Sequence, residues 1–212
     1  KFELDKSCVS EIIKFGKWIF LSSILGFMLA QGDRLMLGLW VTPELLGFYT
    51  IASFLANSFK STINKLISSV FYPMLSEVVR NNPQGLKETY YSIRAKIDFI
   101  AMLIAGILAS MGHLVIEFLY DDRYSEVGWM FELLSVSIMF VGYSLAGVCL
   151  MAKGSAKSNA ALTVVTTTYL YLFLPLAYFT FGIKGAVLVI ALTFMLDIPT
   201  TFYMMHKKKL LS

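Results

Sequence analysis

Apolar residues run along this chain in six long blocks, and the charges, prolines and Asn/Gly clusters collect between them. The blocks cover roughly residues 16–40, 44–75, 93–119, 127–151, 156–179 and 185–205. Each reaches the ~20 residues that a helix needs to cross a hydrocarbon layer of about 30 Å. The pattern predicts an all-α integral membrane protein, a bundle of six transmembrane helices forming one unit over residues 1–212. The separators carry their own signals. Thr42-Pro43-Glu44 supplies an N-cap residue, a proline for the first helical position and an early acid, which together start a helix. Asn81-Asn82-Pro83-Gln84-Gly85 and Asp121-Asp122-Arg123 interrupt the pattern, as do Lys153-Gly154-Ser155 and Gly182-Ile183-Lys184.

Composition agrees with that reading and narrows it. With 57% hydrophobic and 15% charged residues, and a mean hydropathy of +0.69, a soluble fold is excluded. Six spans and their turns use nearly all of the 212 residues, leaving no room for a separate catalytic domain. Cys8 and Cys149 have no CxxC spacing, and His113 and His206 lie far from both, so neither a disulfide framework nor a metal site is expected. No P-loop, HExxH, GxSxG or dinucleotide fingerprint is present. The expectation is therefore a non-enzyme without cofactor or nucleic-acid partner. The opening Lys1-Phe2-Glu3-Leu4-Asp5-Lys6 has neither an initiator methionine nor a signal-peptide pattern, which points to a fragment whose N-terminal part is missing.

Lysine and arginine in alternate connections set the orientation. One side holds Lys1, Lys6, Lys14, Lys17, Arg80, Lys87, Arg94, Lys96, Lys153, Lys157 and Lys207 to Lys209; the other holds Arg123 and Lys184. Both termini are accordingly expected in the cytoplasm. Trp18, Tyr90, Tyr91 and Tyr203 would sit at the inner boundary, and Trp40, Tyr120, Tyr124 and Trp129 at the outer one. Cys8 and Cys149 then lie toward a reducing compartment, and the terminal lysine run reads as a headgroup anchor among membrane lipids.

Three cations remain inside the predicted spans: Arg34, Lys60 and Lys65. An ionisable group at membrane depth is costly unless it is paired or faces water, which makes each a functional-site candidate. Arg34 follows Asp33 directly, and helix neighbours point about 100° apart, so Arg34 is expected to find its anion elsewhere. In the second block Thr50, Ser53, Asn57, Lys60, Ser61, Asn64 and Ser68 fall within an arc of about 100°, with Lys65 at its margin. The opposite face carries Phe54, Leu55, Phe59, Ile63, Leu66 and Val70. Such a stripe lines a water-filled path or else makes interhelical hydrogen bonds. Among the acids, Asp98 and Glu117 read as snorkelling or capping groups at span ends. Glu132 and Asp197 are candidates for pairing with Arg34 or a lysine, or, with Asp33, for carrying a coupling proton or ion. Ala101, Ala105 and Ala109, with Gly106 and Ser110, form small-residue rows for close helix approach. Pro175 and Pro199 interrupt the last two blocks, and Thr163, Thr166, Thr167 and Thr168 offer hydroxyls for the carbonyls that prolines free.

Phe15-Gly16-Lys17-Trp18-Ile19-Phe20-Leu21-Ser22-Ser23, Gln31-Gly32-Asp33-Arg34-Leu35-Met36-Leu37-Gly38 and Leu45-Leu46-Gly47-Phe48-Tyr49-Thr50-Ile51-Ala52 follow one another here. Phe71-Tyr72-Pro73-Met74-Leu75-Ser76 and Tyr120-Asp121-Asp122-Arg123-Tyr124 come next in order. In these stretches the chain resembles the C-terminal half of Wzx-type polysaccharide flippases, of the multidrug/oligosaccharidyl-lipid/polysaccharide exporter superfamily. The resemblance implies one lobe of a two-lobed, 6+6 transporter in the bacterial inner membrane. It implies a cationic central cavity and outward movement of undecaprenyl-pyrophosphate-linked oligosaccharide by alternating access, for O-antigen, capsule or exopolysaccharide. Arg34, Lys60 and Lys65 would then meet the diphosphate, and Asn57, Asn64, Ser53 and Ser61 the sugars. Implied partners are the missing N-terminal lobe, the lipid-linked substrate and other polysaccharide assembly proteins. Two other readings stay open: a multidrug/cation antiporter of the same superfamily, which should need acidic cavity residues, and a membrane-embedded polysaccharide polymerase or ligase, which would need larger outer loops than this pattern allows.

Overall fold

The structure, a computed structural model, describes the backbone of residues 6–152 and 156–207, and the side chains of residues 23–82, 84–149, 161–195, 198–203 and 206. Lys1, the Lys153-Gly154-Ser155 turn, Lys208 and Lys209, and the side chains of Lys6, Cys8, Lys14, Lys17, Trp18, Lys157, Asp197 and Lys207, lie outside what is described. Within them all regular structure is helical. α1 (Lys6–Trp40) is followed by α2 (Pro43–Leu66). Thr42 caps α2: its Oγ1 accepts the Leu45 N–H at 3.3 Å, with Pro43 in the first turn and Glu44 favourable against the helix dipole. Leu66 runs on into a π turn (Ile67–Phe71) and then α3 (Tyr72–Asn81). The wider turn comes directly before Pro73, whose ring would clash with the carbonyl of a regular α turn.

α4 (Leu86–Leu119) shows why the bundle belongs in lipid. Ala101, Ala105, Leu108, Gly112 and Ile116 recur at helical spacing and are buried. On the other side Phe99, Leu103, Ile107, Leu114 and Phe118 are exposed, Phe118 to 87%. So continuous an apolar outer face is stable in hydrocarbon and not in water. The inner face packs on α5 (Ser125–Ser135) and on the 3-10 segment Val136–Tyr143 that continues it. The small-residue rows are thus only half used. Ala101 and Ala105 are buried at the contact, whereas Gly106 and Ser110 are exposed, being a quarter-turn round the helix.

α6 (Ser144–Ala152) completes the fourth block. α7 (Ala156–Leu192) is broken at Gly182, whose φ of 66° and ψ of −156° suit glycine and almost no other residue. The chain folds back there. Leu170 shares a cavity wall with Ile190 and Thr193, and Thr163 shares one with Thr201; these partners are nearly equidistant from Gly182 in sequence. A second 3-10 segment (Thr193–Leu196) leads into α8 (Asp197–Lys207). Pro199 lies in the first turn of α8, where an N–H has no intrahelical acceptor. The threonine expectation needs correcting. Thr166, Thr167 and Thr168 donate to the carbonyls of Leu162, Thr163 and Val164, four residues back. A hydroxyl on a helix reaches its own preceding turn, so these three are not spent on the carbonyl that Pro175 frees.

Among the described residues three stretches are long and apolar enough to cross a membrane: Leu86–Leu119, Asp122–Cys149 and Ala161–Tyr203. The last contains the reversal at Gly182. α2 is not among them, because its polar stripe dilutes the apolar run. The chain is a multi-pass helical membrane protein, with its tight core between α2, α4 and α5 at Tyr49, Ala52, Ala105, Met130 and Phe131, each no more than 1% exposed.

Candidate functional site

Two adjoining cavities open beside the α2 stripe. The smaller, about 320 Å³, is walled by α1, α2, the start of the α5 3-10 extension and α7, with Asp33, Ser53, Asn57, Lys60 and Ser137 as polar lining. The larger, about 730 Å³, continues along α2 with Asn57, Lys60, Ser61, Asn64 and Ser68, faced by Ser137, Ser144, Thr163, Thr166 and Thr201. Leu29, Asn57, Lys60, Ser137 and Phe194 line both. Lys60 therefore stands at the junction, its Nζ 5.5 Å from the centre of the Phe194 ring. Among the described residues no carboxylate forms an ion pair with it.

This geometry sorts the predicted residues. Ser53, Asn57, Lys60, Ser61 and Asn64 share the cavity walls, because residues three and four apart stack on one helix face. Asn64 also accepts the Ser144 hydroxyl at 2.9 Å, tying α2 to α6. Lys65 lines neither cavity: it is exposed, about 100° round the helix from Asn64. Arg34 also stands outside both. Its Nη2 donates to Ser53 Oγ at 2.9 Å and its Nη1 to Gln31 Oε1 at 3.5 Å, so it braces the cavity wall from behind. It makes no ion pair with Asp33, Glu132 or any other described carboxylate. Asp33 does line the smaller cavity, held by the Tyr49 hydroxyl and by the Arg34 backbone N–H at 2.8 Å.

The other acids fall elsewhere. Glu132 lies toward the opposite end from α3, where its Oε1 accepts the His113 backbone N–H at 2.9 Å. It shares a shallow cavity with Lys184 rather than meeting Arg34. His113 Nε2 is 3.2 Å from Glu117 Oε1, so Glu117 is paired along its own helix. Asp98 is not a snorkelling group: its Oδ2 lies 3.2 Å from Arg94 Nε, with the Arg94 side chain 10% exposed. Arg94, counted with the cytoplasmic charges from its sequence neighbours, is buried inside the bundle. The aromatic lining was missed as well. Phe194, Phe140, Tyr143 and Tyr72 face the cavities from three different elements, and only packing reveals which aromatic residues of a membrane helix turn inward.

The chain is a helical membrane protein with largely apolar outer surfaces and, between its helices, two mostly apolar cavities crossed by one polar stripe that has the half-buried Lys60 at their junction. The sequence profile of the polysaccharide biosynthesis protein family matches residues 1–129. The chain belongs to that family, and the matched stretch holds α1, α2 and α4 with Asp33, Arg34 and the whole Lys60 stripe. No curated protein matches the chain at a significant level.

Proposed function

We propose that this chain forms a six-helix lobe of a two-lobed flippase that carries undecaprenyl-pyrophosphate-linked oligosaccharide outward across the bacterial inner membrane, with both ends of the segment in the cytoplasm. The observation that carries this reading is Lys60. A charge held at membrane depth without a paired carboxylate is expensive unless a water-filled space and a transient anion meet it; Lys60 has no such partner among the described residues and lines both cavities where they join. A diphosphate would take that ammonium through charge-assisted hydrogen bonds. The amides and hydroxyls of Asn57, Ser61, Asn64 and Ser144 present the donors and acceptors that a glycan needs. The exposed apolar faces of α4 and α7 leave a path for a polyprenyl tail in lipid. Transport proceeds by alternating access, the second lobe closing the cavity on one side at a time. No covalent step is required, and the protein works as a transporter rather than an enzyme.

The decisive experiment is complementation with the full-length protein in a strain that lacks its own flippase and makes a matching glycan. Wild type restores surface glycan. At equal membrane abundance Lys60→Gln lowers the rate at least tenfold, whereas Lys65→Gln, outside the cavities, does not. Failure of the wild type would remove the flippase reading. Normal transport by Lys60→Gln would remove the site.

A further inference from the structure

Arg94 and Asp98 lie in α4 and line neither cavity, yet they form the most completely enclosed charged pair among the described residues. The Arg94 guanidinium is held on three sides. Its Nε faces Asp98 Oδ2 at 3.2 Å, its Nη1 donates to the Tyr90 hydroxyl at 3.2 Å, and its plane lies 4.0 Å from the centre of the Tyr143 ring. The Phe202 ring of α8 stands 5.8 Å away. One cation thereby links α4, the end of the Val136–Tyr143 segment and α8. Asp98 faces the same segment: a Cβ on Gly142 would overlap Asp98 Oδ1, so the Gly142 backbone is drawn against α4 as closely as glycine permits. The next residue, Tyr143, lines the larger cavity together with Val141, Phe140 and Ser137.

We propose that Arg94 and Asp98 are positioning residues that hold Tyr143 as a fixed aromatic wall of the larger cavity, against which a sugar ring of the substrate rests. A 3-10 segment of eight residues is weakly determined by its own hydrogen bonds, so the placement of its last ring depends on what grips it. Arg94 can supply that grip because the guanidinium is planar, stacks on an aromatic face and uses its edge for Tyr90 and Asp98 at once. Tyr143 is half-buried and lines the larger cavity, whose wall also carries Ser137 and Ser144, so the ring held by Arg94 is also part of a surface that a ligand can meet. The identity of that ligand as a sugar rests on the flippase reading; the positioning of Tyr143 does not.

The experiment has two arms, both in the full-length protein. In the complementing strain, Arg94→Lys keeps the charge and loses the stacking plane, and Tyr143→Leu loses the ring. Each is expected to lower glycan export at least tenfold at equal membrane abundance. The double variant falls no further than the worse single, because the two act through one contact. Tyr143→Phe recovers at least half of what Tyr143→Leu loses. The second arm reads the wall itself: Ser61→Cys, in a background without Cys8 and Cys149, is labelled by a charged maleimide in the purified protein. Arg94→Lys is expected to change that labelling rate at least threefold with the melting curve still cooperative. Multiplying losses in the double variant, or an unchanged labelling rate, would overturn the positioning role. If wild type exports no glycan while the labelling still responds to Arg94, the wall stands and the sugar assignment falls.

Discussion

Removing Asp98 alone should hurt this protein more than removing every polar group of its cluster together. Asp98→Ala leaves the Arg94 guanidinium buried with one hydrogen bond to Tyr90 and a face on Tyr143, but no counter-charge. Breaking a buried pair by deleting one partner costs about 3–5 kcal/mol. The side chains here are 10% and 26% exposed, and water at the Asp98 end softens the loss, so about 2–3 kcal/mol is expected. For a chain of this size each kcal/mol moves the melting midpoint by roughly 2–4 °C, which gives a fall of about 5–10 °C. In the triple variant Tyr90→Phe, Arg94→Met, Asp98→Leu no charge or hydroxyl is left to satisfy, and the methionine stem fills part of the guanidinium space beside Tyr143. Its midpoint should drop by less than half as much. The assay is thermal unfolding of the full-length protein in one detergent, followed by loss of the monodisperse peak. If the triple variant melts as low as Asp98→Ala or lower, the cost lies in lost packing and not in an orphaned charge, and the electrostatic reasoning is refuted.

Other perturbations follow from local geometry. On α4, Gly106→Ala meets nothing within 4 Å and should stabilise by about 0.5–1 kcal/mol through helix propensity, whereas at Gly112 a Cβ comes within 2.6 Å of Glu132 Cγ and 3.1 Å of Phe131 Cδ1. Gly112→Ala should therefore lower the melting midpoint, and equal behaviour of the two variants would contradict the packing of α4 on α5. Gly182→Ala forces an L-residue into a glycine-only conformation at the hairpin, at a cost of order 1–3 kcal/mol, readable as a lower midpoint and increased protease nicking near that turn. Ser144→Ala removes one interhelical hydrogen bond to Asn64 and should cost only about 0.6 kcal/mol; a loss several times larger would mean that this bond alone holds α2 to α6.

Features that depend on period and on neighbours along one helix were legible before any packing was known. The apolar blocks set the helical class and the membrane as its solvent, because burying backbone polar groups in lipid leaves a helix few alternatives. Thr42-Pro43-Glu44 set the start of α2, and Gly182-Ile183-Lys184 marked a turn between two blocks, although the glycine-only φ of 66° at Gly182 was visible only in the structure. The stripe from Ser53 to Asn64 was readable because residues on one helix face share their surroundings whatever packs against them. Whatever joins one helix to another emerged from packing alone. Arg34, Lys60 and Lys65 all counted as cations inside predicted spans, with Lys65 at the margin of the stripe, yet Arg34 braces Ser53 and Lys65 turns outward, a difference set by which neighbours each helix meets. Asp98 and Arg94 read as boundary charges and are an enclosed pair, since their partners Tyr90, Gly142 and Tyr143 reach them from one turn away and from a different segment of the chain. A one-dimensional pattern gives the angle of a side chain about its own axis, but burial and ion pairing depend on where the other axes lie.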